Sequence, residues 1–93
     1  MNKQIWKYQL TLSAADNVHI MPKNRRILKI AKQDNGIFMW VLVDPKNEHY
    51  EYRFSIFGTG WQLPDTIESE YEYLDTIVMD SGLVWHIFER EVF

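Results

Sequence analysis

The sequence contains no cysteine and no long apolar segment, and both absences restrict where the protein works. Small secreted domains usually depend on disulfides, so a chain without cysteine is expected in a reducing compartment, the cytoplasm. The longest apolar run, residues 37–43, is far shorter than the ~20 residues that cross a bilayer. The N-terminal residues also lack an apolar stretch of signal-peptide length. We therefore expect a soluble protein with no membrane partner.

A basic excess is also lacking, because ten Lys and Arg against thirteen Asp and Glu give a formal net charge of −3. Neutralisation of phosphates dominates affinity for nucleic-acid polymers, so this composition argues against such a partner. The charges are nevertheless segregated, since residues 65–80 contain six acidic and no basic residues. Such faces are usually solvated, and opposite ones can meet across a subunit contact. The basic residues concentrate in residues 22–32, at Lys23, Arg25, Arg26, Lys29 and Lys32.

Alternation of apolar and polar residues with a period of two predicts a single all-β domain over residues 1–93. Asn35-Gly36 between two apolar runs is a strong hairpin signal. Residues 37–43 are apolar on both faces, which predicts a central strand that is covered on each side. The pattern gives six or seven strands, mostly linked by hairpins, in a small antiparallel sandwich or barrel. The predicted strands are residues 4–12, 18–20, 26–33, 37–43, 50–57, 71–79 and 83–90.

Two groups of residues are candidates for binding an anion. Gly58-Thr59-Gly60 can present backbone N–H groups, although it has neither the Lys of a P-loop nor the third glycine of a dinucleotide fingerprint. The alternative is a bend that turns the strand. Arg25, Arg26 and Arg53 can hold a phosphate by bidentate donation, and the alternative is a set of solvated residues that discourage edge-to-edge pairing.

The aromatic residues exceed what one small core needs, with four Trp, five Tyr and five Phe. Some are expected at a stacking pocket or a subunit interface, so we also expect a homo-oligomer. Trp61, directly after the glycines, is one candidate. His86 is another, because Trp85 and His86 point to opposite faces of a strand. A buried, hydrogen-bonded histidine is the alternative for His86.

No pattern in the chain indicates catalysis, a metal or a cofactor. The sequence has no Gly-x-Ser-x-Gly nucleophile motif, and no pair of carboxylates stands out as an acid and a base. His19, His49 and His86 match no compact metal-ligand spacing. We therefore expect no catalytic residues, no metal site and no cofactor.

Four segments occur in this order along the chain: Ile5-Trp6-Lys7-Tyr8, Trp40-Val41-Leu42-Val43-Asp44-Pro45, Phe54-Ser55-Ile56-Phe57-Gly58-Thr59-Gly60 and Leu83-Val84-Trp85-His86-Ile87-Phe88-Glu89. Together they resemble a family of small phage-encoded proteins of unknown function. The resemblance covers nearly the whole chain. It implies a viral origin and the host cytoplasm rather than a mechanism.

These observations favour a non-enzymatic protein that binds a small nucleotide-like ligand. Aromatic rings would stack on a base and arginines would hold a phosphate. Together with the viral resemblance, the sharpest hypothesis is a sponge that sequesters a nucleotide immune signal of the host. The alternative is a protein-interaction or structural module that acts on a host or virion protein. The candidate ligand contacts are Arg25, Arg26, Arg53, Gly58, Thr59, Gly60, Trp61 and His86.

Overall fold

The computed structural model describes residues 2–12 and 16–91, which form seven strands and one four-residue helix. The strands are β1 Gln4–Leu10, β2 Asn17–Pro22, β3 Arg26–Gln33, β4 Gly36–Val43, β5 His49–Gly58, β6 Tyr71–Val78 and β7 Val84–Arg90. The helix α1, Ile67–Glu70, directly precedes β6. The predicted all-β class is therefore confirmed. None of the described residues form a helix that is long and apolar enough to cross a membrane.

The strands pair in two antiparallel sheets that enclose one core. The three-stranded sheet has the order β1-β4-β3 and the four-stranded sheet has the order β2-β5-β7-β6. Both sheets contribute to one buried cluster, which makes the fold a sandwich. Among the strands of residues 2–12 and 16–91, hairpins join only β3 to β4 and β6 to β7, so the expectation of mostly hairpin links is wrong. Three of the other links cross between the sheets. Alternation along a strand does not specify its partner, so the sequence pattern did not predict these crossings.

The central strand β4 shows why this sequence builds a two-layered core. Its side chains alternate, and Ile37, Met39, Val41 and Val43 are each at most 1% exposed in the core. The intervening side chains point to the outer side of the sheet and are only half-buried. The central position of β4 between β1 and β3 is confirmed. Its outer side, however, is not covered by a second layer of described residues, contrary to the expectation.

A histidine and a tyrosine meet beside the core between the two sheets. The His19 ring of β2 lies 5.2 Å from the Tyr8 ring of β1 and 6.1 Å from the Phe54 ring, between centroids. Burial lowers the pKa of His19, and a hydrogen bond with the Gln9 backbone opposes this effect only in part. His19 Nε2 is buried without a partner among the described residues, so an imidazolium N–H would find no acceptor there.

We expect acid to destabilise the fold through His19. Because its pKa in the folded state lies below 6.5, the unfolded chain binds the proton more tightly. The contribution of His19 is therefore complete above about pH 6.5 and is lost as the pH falls through the folded-state pKa. Urea unfolding between about pH 7.5 and about pH 5.5 measures the slope. His19→Phe keeps a ring beside Tyr8 and should flatten that slope; equal slopes in both proteins would contradict the prediction.

Candidate functional site

The outer surface of the four-stranded sheet carries a face of aromatic and basic side chains. Directly opposite residues in an antiparallel pair share a face, so the register arranges these side chains in rows across β5, β7 and β6. We call this surface the aromatic face. Its first row is Arg53, Arg90 and Tyr71, its second row is Ser55, Phe88 and Tyr73, and its third row is Phe57, His86 and Thr76.

A bulge in β6 completes the face. The register shifts between Tyr73 and Asp75, so the strand carries one extra residue there. Two residues that are three apart in a regular strand would point to opposite sides of the sheet. The bulge instead directs Tyr73 and Thr76 to the same side, and their hydroxyl oxygens lie 2.6 Å apart in a hydrogen bond.

Four aromatic rings cluster at the centre of the face. The Phe88 ring is 5.7 Å from the Phe57 ring, 5.5 Å from the Tyr73 ring and 6.5 Å from the Tyr71 ring, measured between centroids. All three pairs have the edge-to-face arrangement that aromatic rings favour. Tyr73 is 55% exposed, and the other three rings are half-buried. The cluster therefore presents ring surface to solvent and can stack against a flat ligand.

Two threonine hydroxyls hold His86 in place. Thr59 Oγ1 lies 2.7 Å from His86 Nε2, and Thr76 Oγ1 lies 3.0 Å from His86 Nδ1. A neutral imidazole donates from one nitrogen and accepts at the other, so both ring nitrogens are occupied. His86 is a fixed polar group at the edge of the aromatic cluster.

The segment from Gly58 to Trp61 forms a turn beside His86. The Trp61 N–H donates to the Gly58 carbonyl at 3.2 Å, and Gly60 has φ +85°, a conformation that favours glycine. A Cβ at Gly58 would lie 2.6 Å from Trp61 Nε1, so the absence of a side chain there admits the indole. The turn borders a depression of about 290 Å³ that is also lined by His86 and Phe88.

Two guanidinium groups share one end of the aromatic face. Arg53 and Arg90 are directly opposite each other on β5 and β7, an arrangement of like charges that destabilises a sheet. Glu51 lies 3.7 Å from Arg53, and Asp16 lies 3.4 Å from Arg90. The arginine side chains are 41% and 45% exposed, so these ion pairs are weak and screened. An anion that bound between them would relieve the repulsion.

The predicted ligand contacts separate into several places. Gly58, Thr59, Gly60 and Trp61 line the depression together with His86. Arg53 is at the other end of the same face. Arg25 lies elsewhere. It pairs with Glu89, and its guanidinium carbon is 4.0 Å above the centre of the Tyr52 ring. Arg26 is opposite Leu42 on the outer side of the other sheet.

The sequence analysis did not single out as contacts seven residues of the aromatic face: Ser55, Phe57, Tyr71, Tyr73, Thr76, Phe88 and Arg90. Two of them, Phe88 and Arg90, lie on β7. Both belong to the period-two pattern of residues 84–90, which places them on the face of His86. That pattern could therefore have identified both residues as neighbours of His86 on the same face. No group of three or more His, Cys, Asp or Glu residues with metal-binding geometry occurs in residues 2–12 and 16–91.

Comparison with known proteins assigns a family but no activity. No curated protein and no solved structure is significantly similar to the chain. The family model described as a domain of unknown function, DUF7352, matches residues 1–93. Since the match spans the whole sequence, the chain belongs to the DUF7352 family of domains of unknown function.

Proposed function

We propose that the protein is a non-enzymatic binder of a small nucleotide-like ligand, which it holds on the aromatic face. The observation that carries this proposal is the pair Arg53 and Arg90, opposed at one end of a four-ring aromatic cluster. Guanidinium groups recognise phosphate by paired hydrogen bonds, and exposed rings stack on bases. The ligand would therefore combine a flat ring with at least one phosphate.

The dimensions of β7 suit a ligand of this size. Residues two apart in a strand are separated by about 6.6 Å, so Phe88 and Arg90 are about that far apart along the sheet. A base stacked against Phe88 and Tyr73 would place its phosphate between Arg53 and Arg90. Thr59, at the far end near His86, offers a hydroxyl to polar atoms of the base.

In this proposal His86 orders the edge of the aromatic face. Both of its ring nitrogens are bonded to threonine hydroxyls, which hold the ring in one orientation. The carboxylates at the arginine end, Asp16 and Glu51, serve as counterions. We propose binding at this face and no reaction.

The resemblance to phage-encoded proteins supports a sharper version of this proposal. In it, the protein acts in the cytoplasm of an infected host and sequesters a nucleotide signal of host immunity. Such a sponge needs affinity and abundance but no chemistry. A thermal-shift screen would identify the nucleotide.

A thermal-shift screen against linear and cyclic nucleotides and ADP-ribose derivatives tests the proposal. A ligand at about 100 times its dissociation constant stabilises a protein by about 2.7 kcal/mol. In a domain of this size that corresponds to a rise in Tm of about 10–20 °C. A screen with no shift for any nucleotide would overturn the proposal.

Substitution of the two arginines locates the binding. We expect Arg53→Gln/Arg90→Gln to weaken binding of the nucleotide at least about tenfold in calorimetry, because each hydrogen bond to a charged group contributes about 1.5–3 kcal/mol. Lys23→Gln/Lys46→Gln removes the same charge away from the face and should retain the affinity. Equal losses in both proteins would show that net charge alone attracts the ligand.

A protein partner is the second candidate function, favoured by the exposed edge of the four-stranded sheet. Strand β2 is an edge strand, and its Val18 and Ile20 side chains are 43% and 60% exposed. Exposed apolar edges of this kind can pair with another chain. This surface would also serve the proposed homo-oligomer. Light scattering at increasing protein concentration measures the molecular mass and so tests whether a homo-oligomer forms. Ile20→Lys should reduce the fraction of any dimer.

A further inference from the structure

The outer side of the three-stranded sheet is a second surface with a consistent charge. Strands β1, β3 and β4 contain Lys7, Arg26, Lys29 and Lys32 but no Asp or Glu. The register places Lys7 and Lys29 on either side of Trp40, and Arg26 beside Leu42, all on the outer side. We call this surface the basic face. It lies on the side of the sandwich opposite to the aromatic face.

Two aromatic rings occupy the middle of the basic face. Phe38 and Trp40 are successive outward residues of the central strand, and their ring centroids are 6.3 Å apart. Lys7 Nζ lies 4.2 Å from the centre of the Phe38 ring and 5.5 Å from the Trp40 ring. Beside Trp40 is an open depression of about 510 Å³, lined also by Ile5, Leu28 and Lys29.

Three cations of this face, Lys7, Arg26 and Lys29, have no acidic partner within the described part of the chain, whereas Lys32 pairs with Asp80. No carboxylate there lies within 4.0 Å of Lys7, Arg26 or Lys29, and Lys7 instead donates to the side-chain carbonyl of Gln33. Charge complementarity therefore calls for an anionic occupant. A second copy docked through the same face would bring like charges together, which opposes symmetric dimerisation here.

We propose that the basic face binds single-stranded nucleic acid. A base would stack on Trp40, and Lys7, Arg26 and Lys29 would contact the phosphates. This inference departs from the expectation drawn from the net charge of −3. That sum does not show how the charge is distributed, because the three strands of this sheet contain four basic residues and no acidic residue. It is independent of the ligand proposed for the aromatic face.

Fluorescence anisotropy with labelled twelve-nucleotide oligo(dT) and oligo(rU) tests the inference. We expect dissociation constants of about 1–100 µM, within the range of non-specific binding. Neutralisation of three phosphates predicts a salt slope of about −2, so affinity should fall about twentyfold between 50 mM and 200 mM salt. A blunt duplex of the same length should bind more weakly, because its bases are not free to stack. Tighter binding of the duplex would overturn the inference.

Substitutions separate stacking from charge. We expect Trp40→Leu to weaken oligonucleotide binding at least about fivefold, as loss of a stacked base does. Tyr50→Leu, an aromatic substitution outside the face, should have no effect. Lys7→Gln/Lys29→Gln alters only surface charges, so it tests the face even if Trp40→Leu is unstable. It should lower the affinity and reduce the salt slope by about 1.4, whereas Lys46→Gln should change neither.

The two proposals fail in distinguishable ways. Arg53→Gln/Arg90→Gln should leave oligonucleotide binding within twofold, because those residues lie on the opposite side of the sandwich. If that variant abolishes oligonucleotide binding while Lys7→Gln/Lys29→Gln retains it, the strand binds the aromatic face and the inference is wrong. Absence of any binding to both oligonucleotides at the lower salt concentration would equally overturn it.

Discussion

Phe54→Ala is expected to lower the free energy of unfolding by about 3–5 kcal/mol, the usual cost of removing a phenylalanine from a core. Phe54 is 0% exposed and lies in the middle of β5, which pairs with both β2 and β7. Loss of its ring leaves a cavity that neither sheet can fill without breaking pairs. A domain of this length has a total stability of only about 5–14 kcal/mol, so the substitution removes a large share of it.

Urea unfolding followed by tryptophan fluorescence measures this loss. Phe57→Ala is the matched control, because it removes the same ring from the same strand but from the half-buried outer face. We expect less than half the loss for Phe57→Ala, since little new cavity forms. Comparable losses for the two variants would show that the core does not lie where the burial pattern places it.

The local sequence pattern predicted the strands well, because apolar and polar residues alternate along a strand that has one buried and one exposed face. In residues 26–33 and 37–43 the predicted and observed strands differ by at most one residue, and Asn35-Gly36 marks the hairpin between them. The pairing of strands in the sheets could not be predicted in the same way. That β1 pairs with β4, and β2 with β5, depends on contacts between distant segments. No local alternation encodes those contacts, so the expected hairpin links were wrong.

The sequence predicted which types of residue form the candidate site, but it did not predict how they are arranged in space. The turn at Gly58, Trp61 and His86 do meet, because β5 and β7 are neighbours. Arg25 and Arg53 look alike in the sequence, yet one is enclosed at the end of the sandwich and the other is on the open face. Only the pairing of β5 with β7 reveals that Arg53 stands opposite Arg90.

The positions of charged residues along the sequence likewise do not show which of them share a face of the folded protein. The sequence shows a concentration of basic residues at 22–32, and Arg25 and Arg26 from it were grouped with Arg53 as candidate phosphate contacts. In the folded chain Arg26 and Lys29 belong to the outer side of the three-stranded sheet, where Lys7 joins them from β1. Arg25 turns to Glu89 instead. Net charge and sequence clusters therefore say less about a binding face than strand register does.

The pair Arg25 and Glu89 is expected to stabilise the fold rather than bind a ligand. The two side chains are only 12% and 16% exposed, and the Arg25 guanidinium packs on the Tyr52 ring. Removal of one partner from a buried ion pair leaves an uncompensated charge. Because this pair retains some solvent contact, we expect Glu89→Leu to cost about 2–3 kcal/mol, at or below the lower end of the usual range for buried pairs.

A double-mutant cycle isolates the interaction between these two residues. Arg25→Met/Glu89→Leu replaces both charges with apolar groups and should recover most of the stability lost by Glu89→Leu, because no unpaired charge remains. Neither Arg25→Met nor the double variant should change nucleotide affinity at the aromatic face, once folding is complete under the assay conditions. If Arg25→Met retains full stability but abolishes nucleotide binding, then Arg25 is a ligand contact, and the binding site extends to the end of the sandwich where it meets Glu89.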